Sequence, residues 1–304
     1  MKVFQNLEFK WNHTTVCIGK FDGLHKGHRL LTAHAAKRPG KVVMLTFSTG
    51  GSALYSPHEK RCLAKKLGID YLVEIPFDES FRRQSPEDFA VHILNERCGA
   101  DYVVVGRDFR FGKERSGDTR VLEHLGKQNG FEVVVYDKLI LDGEVVSSTR
   151  IRNLVQAGRI AEANSLLGTP YFISGIVKKG NQLGRTIQTP TANIYPYECK
   201  VLPPFGVYAV LAEVENRLYY GVSNLGVKPT IADGNPIGLE VWLFEYDGDL
   251  YGKEITVYLI EAMRREQKFD SLIQLKSQIQ KDTICAKEIL ARQDSESLRR
   301  SVFH

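Results

Sequence analysis

From Thr14 to Tyr136 the apolar positions change period repeatedly. Runs dominated by apolar and β-branched residues occupy 14–19, 41–47, 71–75, 102–106 and 132–136, each the length of one strand. Between them the apolar residues recur every three or four positions, at Leu30, Leu31 and Ala35 and over 58–67, 86–98 and 118–129, which predicts helices. Strands alternating with helices predict a parallel sheet flanked by helices, an α/β domain. Two short helices follow, over 149–157 and 160–167, closed by Gly158 and Gly168. From Tyr171 the runs shorten and turns become frequent: 171–178, 206–214, 218–225, 239–246 and 254–262 predict a small antiparallel β-barrel. A last helix begins near Asp270, with Ser271 and Gln274 as a capping box and Leu272, Leu275, Ile279, Ala286 and Ile289 or Leu290 as its apolar stripe. The change of texture places a domain boundary at 168–171, giving domains 1–170 and 171–304.

Composition narrows the class without naming it. The 304 residues suffice for two domains, and 43% apolar with 25% charged residues are globular values. A net charge of +5 suits an anionic small molecule as well as a nucleic acid. Cys17, Cys62, Cys98, Cys199 and Cys285 form no C-x-x-C pair, so reduced thiols and no zinc site are expected. The opening residues lack the apolar core of a signal peptide, and no run approaches the roughly 18 apolar residues of a membrane span. A cytoplasmic location is expected.

Chemistry concentrates in a few stretches. "GKFDGLHKGH" (19–28) lies where the first strand gives way to the first helix, which is where open α/β sheets bind ligands. A helix N-terminus attracts phosphate, Gly27 lets the backbone approach it, and His25 and His28 offer imidazole N–H groups without a covalent intermediate. An isolated H-x-G-H fits ordinary turn and cap residues equally well. "SSTRIR" (147–152) opens a helix after the last strand, where hydroxyls, backbone amides, Arg150 and Arg152 can grip a triphosphate; an N-cap accounts for Ser148 alone but not for the paired arginines.

In the second half, Gly180, Gly184 and Arg185 predict a flexible basic loop that can fold over phosphates, although a glycine-rich hairpin turn accounts for the glycines alone. Thr191 and Asn193 share a face if extended, and two neutral oxygens suit a Mg²⁺ that keeps several waters. Glu240 alternates with Leu239 and Val241 and shares a face with Trp242 and Phe244; a solvated edge glutamate is the plain alternative.

"GKFDGLHKGH", "SSTRIR" and the intervening "GRDFRFG" (106–112) resemble the adenylyltransferase half of bacterial bifunctional riboflavin kinase/FAD synthetases. "PTAN" (190–193) resembles the riboflavin-kinase signature, and the similarity runs through nearly the whole chain. The resemblance implies a Rossmann-like nucleotidyltransferase domain, then a riboflavin-kinase barrel with a C-terminal helix. It implies phosphorylation of riboflavin to FMN, then adenylylation of FMN to FAD with release of pyrophosphate. By it, Gly19, Phe21, Asp22, Gly23, His25, Gly27 and His28 line the first ATP site with Ser147, Ser148, Thr149 and Arg150, and His28 acts in catalysis. Lys178, Gly180, Gly184 and Arg185 belong to the second ATP site, Thr191 and Asn193 hold Mg²⁺, and Glu240 is the base. Phe47, Asp108, Phe109 and Phe111 face flavin in the first domain, Arg264 and Phe269 in the second. Without the resemblance, 106–112 reads as a strand followed by an aromatic-rich turn. The implied partners are riboflavin, FMN and ATP, with neither nucleic acid nor membrane.

The chain departs from the family pattern in three places: Thr46-Phe47-Ser48-Thr49-Gly50 lacks the proline often found there, Arg107 replaces an acidic or aromatic residue, and Gln188-Thr189 replaces a glycine and an aromatic. The last departure favours, slightly, an FAD synthetase whose barrel only binds flavin. A flavin-sensing regulator without turnover is opposed by the intact motifs. A class I aminoacyl-tRNA synthetase shares the histidine motif, but this chain has no KMSKS-like loop.

Overall fold

Every residue of the strand Thr14–Ile18 is buried, as an inner strand of a sheet covered on both faces must be. In the computed structural model, which describes residues 1–48, 50–178, 191–228, 236–293 and 302, this strand is β2. The chain divides into two compact units, residues 1–52 with 60–148 and residues 53–59 with 149–304.

The first unit is built on a six-stranded parallel sheet: β1 (Lys2–Phe4), β2, β3 (Lys41–Ser48), β4 (Tyr71–Pro76), β5 (Ala100–Gly106) and β6 (Glu132–Tyr136), in the order β1-β4-β3-β2-β5-β6. Its helices are α1 (Lys26–Ala35), α2 (Pro57–Lys66), α3 (Glu79–Arg82), α4 (Pro86–Asp88) and α5 (Thr119–Asn129), with the first residues of α2 counted in the other unit. A hairpin of β7 (Ile140–Leu141) and β8 (Glu144–Val145) follows β6. Val16, Ile18, Val43, Leu45, Val103, Val105 and Leu122 form part of one core. From β2 the chain moves outward through β3 and β4, then returns to β5 on β2's other side. The carboxyl ends of β2 and β5 therefore flank the point where strand order reverses, and a ligand crevice opens there. "GKFDGLHKGH" continues β2, and "GRDFRFG" continues β5.

The second unit contains α6 (Ser148–Gln156, from Thr149 onward), α7 (Ile160–Leu167), and an antiparallel sheet of β9 (Tyr171–Ile176), β10 (Ala192–Ile194), β11 (Gly206–Val214), β12 (Arg217–Val227), β13 (Ile237–Leu243) and β14 (Glu254–Arg265). The order is β10-β13-β12-β11-β14-β9. The sheet curls until a bridge between Lys178 and Asn193 joins its two ends, so the expected barrel is present. The last helix, α8 (Leu272–Ala291), packs on β11, β12 and β14.

Three details differ from the sequence pattern. The expected helix over 86–98 runs as α4 and then a π-helix, Phe89–Arg97, which turns Phe89, Ala90, Ile93 and Leu94 into the core. Two short strands, β1 and β10, were too brief to leave a periodicity. On α8 only Ala286, Ile289 and Leu290 of the expected stripe are buried, while Leu272 is 62% exposed. Asp282 is buried on this helix because Arg264 clamps it with bonds of 2.9, 3.2 and 2.7 Å. All five cysteines are free thiols, and burial pushes Cys17 and Cys98 up to about 12, so both are inert.

Residues 53–59 join the second unit through a buried ion pair. Glu59 is 1% exposed and Lys200 5%. Lys200 Nζ donates to Glu59 Oε2 at 2.7 Å and to the Leu54 carbonyl at 2.8 Å. Glu59 also accepts the Ser56 N–H at 2.7 Å and the Ser174 N–H at 2.9 Å. The rings of Tyr55 and Tyr171 each lie 4.6 Å from the ammonium. Ala53 pairs with Lys200 in a parallel bridge. Both charges are thus fully bonded, which is the condition for burying them.

Lys200→Met would leave Glu59 charged and without its cation, so it should cost the second unit about 3–5 kcal/mol. Urea unfolding followed by Trp242 fluorescence, in a Trp11→Phe background, measures it. The double variant Glu59→Gln, Lys200→Met should recover part of the loss. A single-variant cost below about 1 kcal/mol would show that the pair does not secure this segment.

Candidate active sites

The first site grows from the turn after β2. Phe21, Gly23 and Leu24 adopt positive φ of 47°, 86° and 42°, a run that costs the non-glycine residues about 1–3 kcal/mol each and recurs at sites where backbone must meet a ligand. His25 caps α1: its Nδ1 accepts the His28 N–H at 3.4 Å. That bond fixes the neutral tautomer of His25, with its proton on Nε2. The two imidazoles stack with centroids 3.7 Å apart and planes 19° from parallel, and the Phe21 ring meets His28 edge-on at 5.2 Å. A Cβ on Gly27 would press on the His25 ring at 3.2 Å, so this position stays bare. Gly19 donates its N–H to the Leu45 carbonyl at 3.1 Å, tying the turn to β3.

Burial sets the charge of this site. It lowers His25 to about 4, against the opposing pull of Asp22. His28 is held well below its ordinary value by burial first, then by His25 and by Lys60. His28 Nδ1 is buried with no hydrogen-bond partner among the described residues. Near neutral pH both rings are uncharged, so they offer hydrogen bonds and not charge. Ser148 reaches this turn, its hydroxyl donating to the Asp22 carbonyl at 2.7 Å. Ser147 is half-buried beside it; Thr149 and Arg150 follow in the first turn of α6, exposed and half-buried.

The expected flavin aromatics of this unit lie along one array of rings, joined where Phe81 meets Phe89 edge-on at 6.1 Å. Phe47 lies against Phe77 and Phe81 at 5.9 and 5.2 Å. Phe109 and Phe111 stack at 5.4 Å after β5, and Phe111 also meets Phe89. Asp108 is exposed and pairs with Lys138 at 2.9 Å; Arg107 is bound to Asp137.

The second site lies on the barrel. Asn193 stands opposite Glu240 across β10 and β13, and Glu240 stands opposite Asn224 across β13 and β12, so the three share one face. Thr191 donates its hydroxyl to Glu240 Oε1 at 2.6 Å, and Lys228 Nζ reaches Oε2 at 3.2 Å. Asn224 Oδ1 is buried without a partner among the described residues. Lys178 bridges Asn193 through the backbone, and its ammonium lies 5.5 Å from the Tyr195 ring. Arg264 and Phe269 come together at 5.9 Å, with the guanidinium also held by Asp282. Gly180, Gly184, Arg185, Gln188 and Thr189 lie outside the described residues. Lys60, Lys228 and Asn224 were not singled out from the sequence. Lys60 looked like one more solvated lysine of α2, while Lys228 and Asn224 carried no motif of their own.

A hydroxyl, a carboxamide and a carboxylate converging on one face are hard oxygen donors, the set that suits a divalent cation which keeps waters and substrate phosphates. Among the described residues no cluster of three His, Cys, Asp or Glu side chains offers an alternative.

The neutral imidazoles have a consequence for stability. Unfolded histidine titrates near 6.5, and His25 folds with a value near 4. Between those values the unfolded chain binds more protons, so the first unit loses stability as pH falls through that window, on the order of 3 kcal/mol for His25. The stability is fully present above pH 6.5. Unfolding read by Trp11 fluorescence, in a Trp242→Phe background, should show this slope, and the double variant His25→Asn, His28→Asn should be nearly flat. A slope of wild-type size in the double variant would show that neither ring is held neutral.

Known proteins match this arrangement along the chain. The FAD synthetase family model covers residues 8–150 and the riboflavin kinase family model residues 167–290. A protein of Pseudomonas fluorescens named bifunctional riboflavin kinase/FMN adenylyltransferase is 35% identical over 301 residues, covering 94% of this chain and 96% of its own. Its namesake from Escherichia coli K12 is 37% identical over 286 residues, covering 89% and 91%. A crystal structure from Streptococcus pneumoniae, named a macrolide-efflux protein, superposes with a TM-score of 0.82 at 29% identity over 94% of this chain and 98% of that one. With a synthetase motif set on a parallel sheet, a kinase motif set on a barrel, and relatives matched almost end to end, the chain belongs to the family of bifunctional riboflavin kinase/FMN adenylyltransferases.

Proposed function

We propose that the two halves act in sequence, with the motifs before residue 170 serving adenylyl transfer and those of 171–304 serving phosphoryl transfer. In the kinase half, Glu240 accepts the proton of a flavin hydroxyl, the oxygen attacks the γ-phosphorus of ATP, and ADP leaves. Thr191 and Asn193 would supply donors for Mg²⁺, with Glu240 beside them. When bound, the ion neutralises phosphate charge. Lys178, Gly180, Gly184 and Arg185 serve the nucleotide, and Arg264 and Phe269 the flavin.

In the other half, an FMN phosphate oxygen attacks the α-phosphorus of a second ATP. The bond from that phosphorus to the bridging oxygen breaks, and pyrophosphate departs. His25 and His28 donate hydrogen bonds to the phosphate oxygens, with Gly19, Phe21, Asp22, Gly23 and Gly27 shaping the turn. Ser147, Ser148, Thr149 and Arg150 hold the triphosphate. Phe47, Asp108, Phe109 and Phe111 serve the flavin.

The observation that supports this reading best is the Thr191–Glu240 bond at 2.6 Å beside Asn193, which brings a carboxylate, a hydroxyl and a carboxamide to one face. Among the described residues no helix is long and apolar enough to cross a membrane, and we place the enzyme in the cytoplasm.

The direct test incubates pure protein with riboflavin, ATP and Mg²⁺ and follows FMN and FAD by chromatography; accumulation of neither product refutes the reading. Glu240→Gln should cut FMN formation at least about 10²-fold while FAD still forms from supplied FMN. Conversely, His28→Ala should cost FAD formation about 2.7–4 kcal/mol and leave riboflavin phosphorylation intact. Equal losses of both activities in either variant would point to misfolding instead.

A further inference from the structure

We propose that Lys60 is a positioning residue of adenylyl transfer, bracing the turn that carries His25 and His28 and holding a positive charge where the ATP phosphates bind. The proposal rests on the reading of the histidine turn as the ATP site.

Two neutral imidazoles cannot balance a triphosphate. A cation must stand near them, and the structure places one. Lys60 Nζ donates to the carbonyl of Lys20, two residues past the end of β2, at 2.8 Å. It also donates to Thr46 Oγ1 on β3 at 2.6 Å, and the same hydroxyl donates to the Lys20 carbonyl at 2.9 Å. The ammonium therefore ties the carboxyl end of β2, which borders the ligand crevice, to that of its neighbour β3. Its charge is close enough to His28 to push that ring further toward neutrality.

The bonding partners of Lys60 bear on its role. Several half-buried or buried cations have carboxylate partners: Arg61 has Glu74, Lys200 has Glu59, Lys228 has Glu240 and Arg264 has Asp282. Lys60 is bonded to neutral oxygens alone, and no carboxylate bonds it among the described residues. Asp22 and Glu74 act on it only through space, and Arg61 already occupies both Glu74 oxygens. A desolvated ammonium without a counter-ion is a demand for an anion. Burial outweighs the two carboxylates and brings Lys60 down to about 8. His28 facing it is neutral, so no neighbour other than Asp22 and Glu74 offsets the burial.

The sign of the pH dependence follows. Below about 8 the free enzyme carries the charge; above it the ammonium loses its proton and ATP binds a neutral group. The kcat/KM for ATP in FAD formation should therefore fall as pH rises through about 8. Lys60→Arg keeps the charge at any accessible pH, so this limb should disappear or move upward. Lys60→Met should lose on the order of 10²-fold at pH 7 and show no limb near 8.

The experiment is steady-state FAD synthesis from FMN across pH 6–10 on the full-length wild type, both Lys60 variants and His28→Ala. Riboflavin phosphorylation by the same samples, and unfolding read by Trp11, report whether each protein is folded. A flattened limb in Lys60→Met, with partial rescue by Lys60→Arg at high pH, supports the proposal. Overturning results are a Lys60→Met rate within about 3-fold of wild type, or a uniform loss that leaves the limb near 8 in place, which would make Lys60 a strut only. If Lys60→Met does not fold, the Lys60→Arg profile decides alone: an unmoved limb overturns the proposal. Should His28→Ala retain full FAD synthesis, the ATP-site reading fails, whatever Lys60 does.

Discussion

The ion pair between Glu59 and Lys200 governs how this chain is divided. Two buried charges are stable only with each other and with further bonds, and here those bonds come from Leu54, Ser56 and Ser174. Breaking the pair would leave a charge in the interior of the second unit. Residues 53–59 are consequently fixed to the barrel half although their sequence lies between two strands of the parallel sheet. The next residue, Lys60, counts with the first unit and bonds to the ends of β2 and β3. Consecutive positions of α2 are thus held differently: the Glu59 carboxylate by a buried ammonium, the Lys60 ammonium by a carbonyl and a hydroxyl.

Burial does comparable work at the histidine turn. It strips charge from His25 and His28 and lowers Lys60, yet leaves it charged at neutral pH. Positive φ at Phe21 and Leu24 and the bare Gly27 are local costs that bring backbone and rings to the crevice. The second site is arranged differently. Glu240 is held by a hydroxyl and an ammonium, and stands in register with Asn193 and Asn224.

Much of this was legible in the sequence. Apolar runs mark β2, β3, β4 and β5 because their central residues are covered on both faces, and β6 as a half-buried edge strand; Gly158 and Gly168 mark helix ends through their positive φ of 77°. What escaped has physical causes. β1 and β10 are three residues long, so they leave no period. The α8 stripe over-reaches because only its C-terminal half meets the barrel strands; Leu272 keeps the spacing but has nothing to cover it. Lys60, Lys65 and Lys66 look alike in a helix rich in lysine. Only the tertiary contacts show that one is half-buried while the other two are exposed. Likewise Glu59 reads as an ordinary acidic residue of a first helical turn, and its partner lies 141 positions away.

The two sites differ because their nucleophiles differ. An alcohol is a poor nucleophile until it loses its proton, so a kinase site needs a carboxylate beside its metal-binding oxygens, the part proposed for Glu240, which is bonded to Thr191 and in register with Asn193. A phosphate monoester is already anionic at neutral pH. Its attack on another phosphate is opposed by repulsion and not by a proton, so a base would contribute nothing and a carboxylate would add to the repulsion. What that reaction requires is hydrogen-bond donors and positive charge that do not need to reorganise. In the proposed site, stacked neutral imidazoles would supply the donors, and an ammonium held by a carbonyl and a hydroxyl the charge. On the proposed reading, the absence of a bonded carboxylate at Lys60 among the described residues and the presence of one at Lys228 are two sides of the same electrostatic requirement.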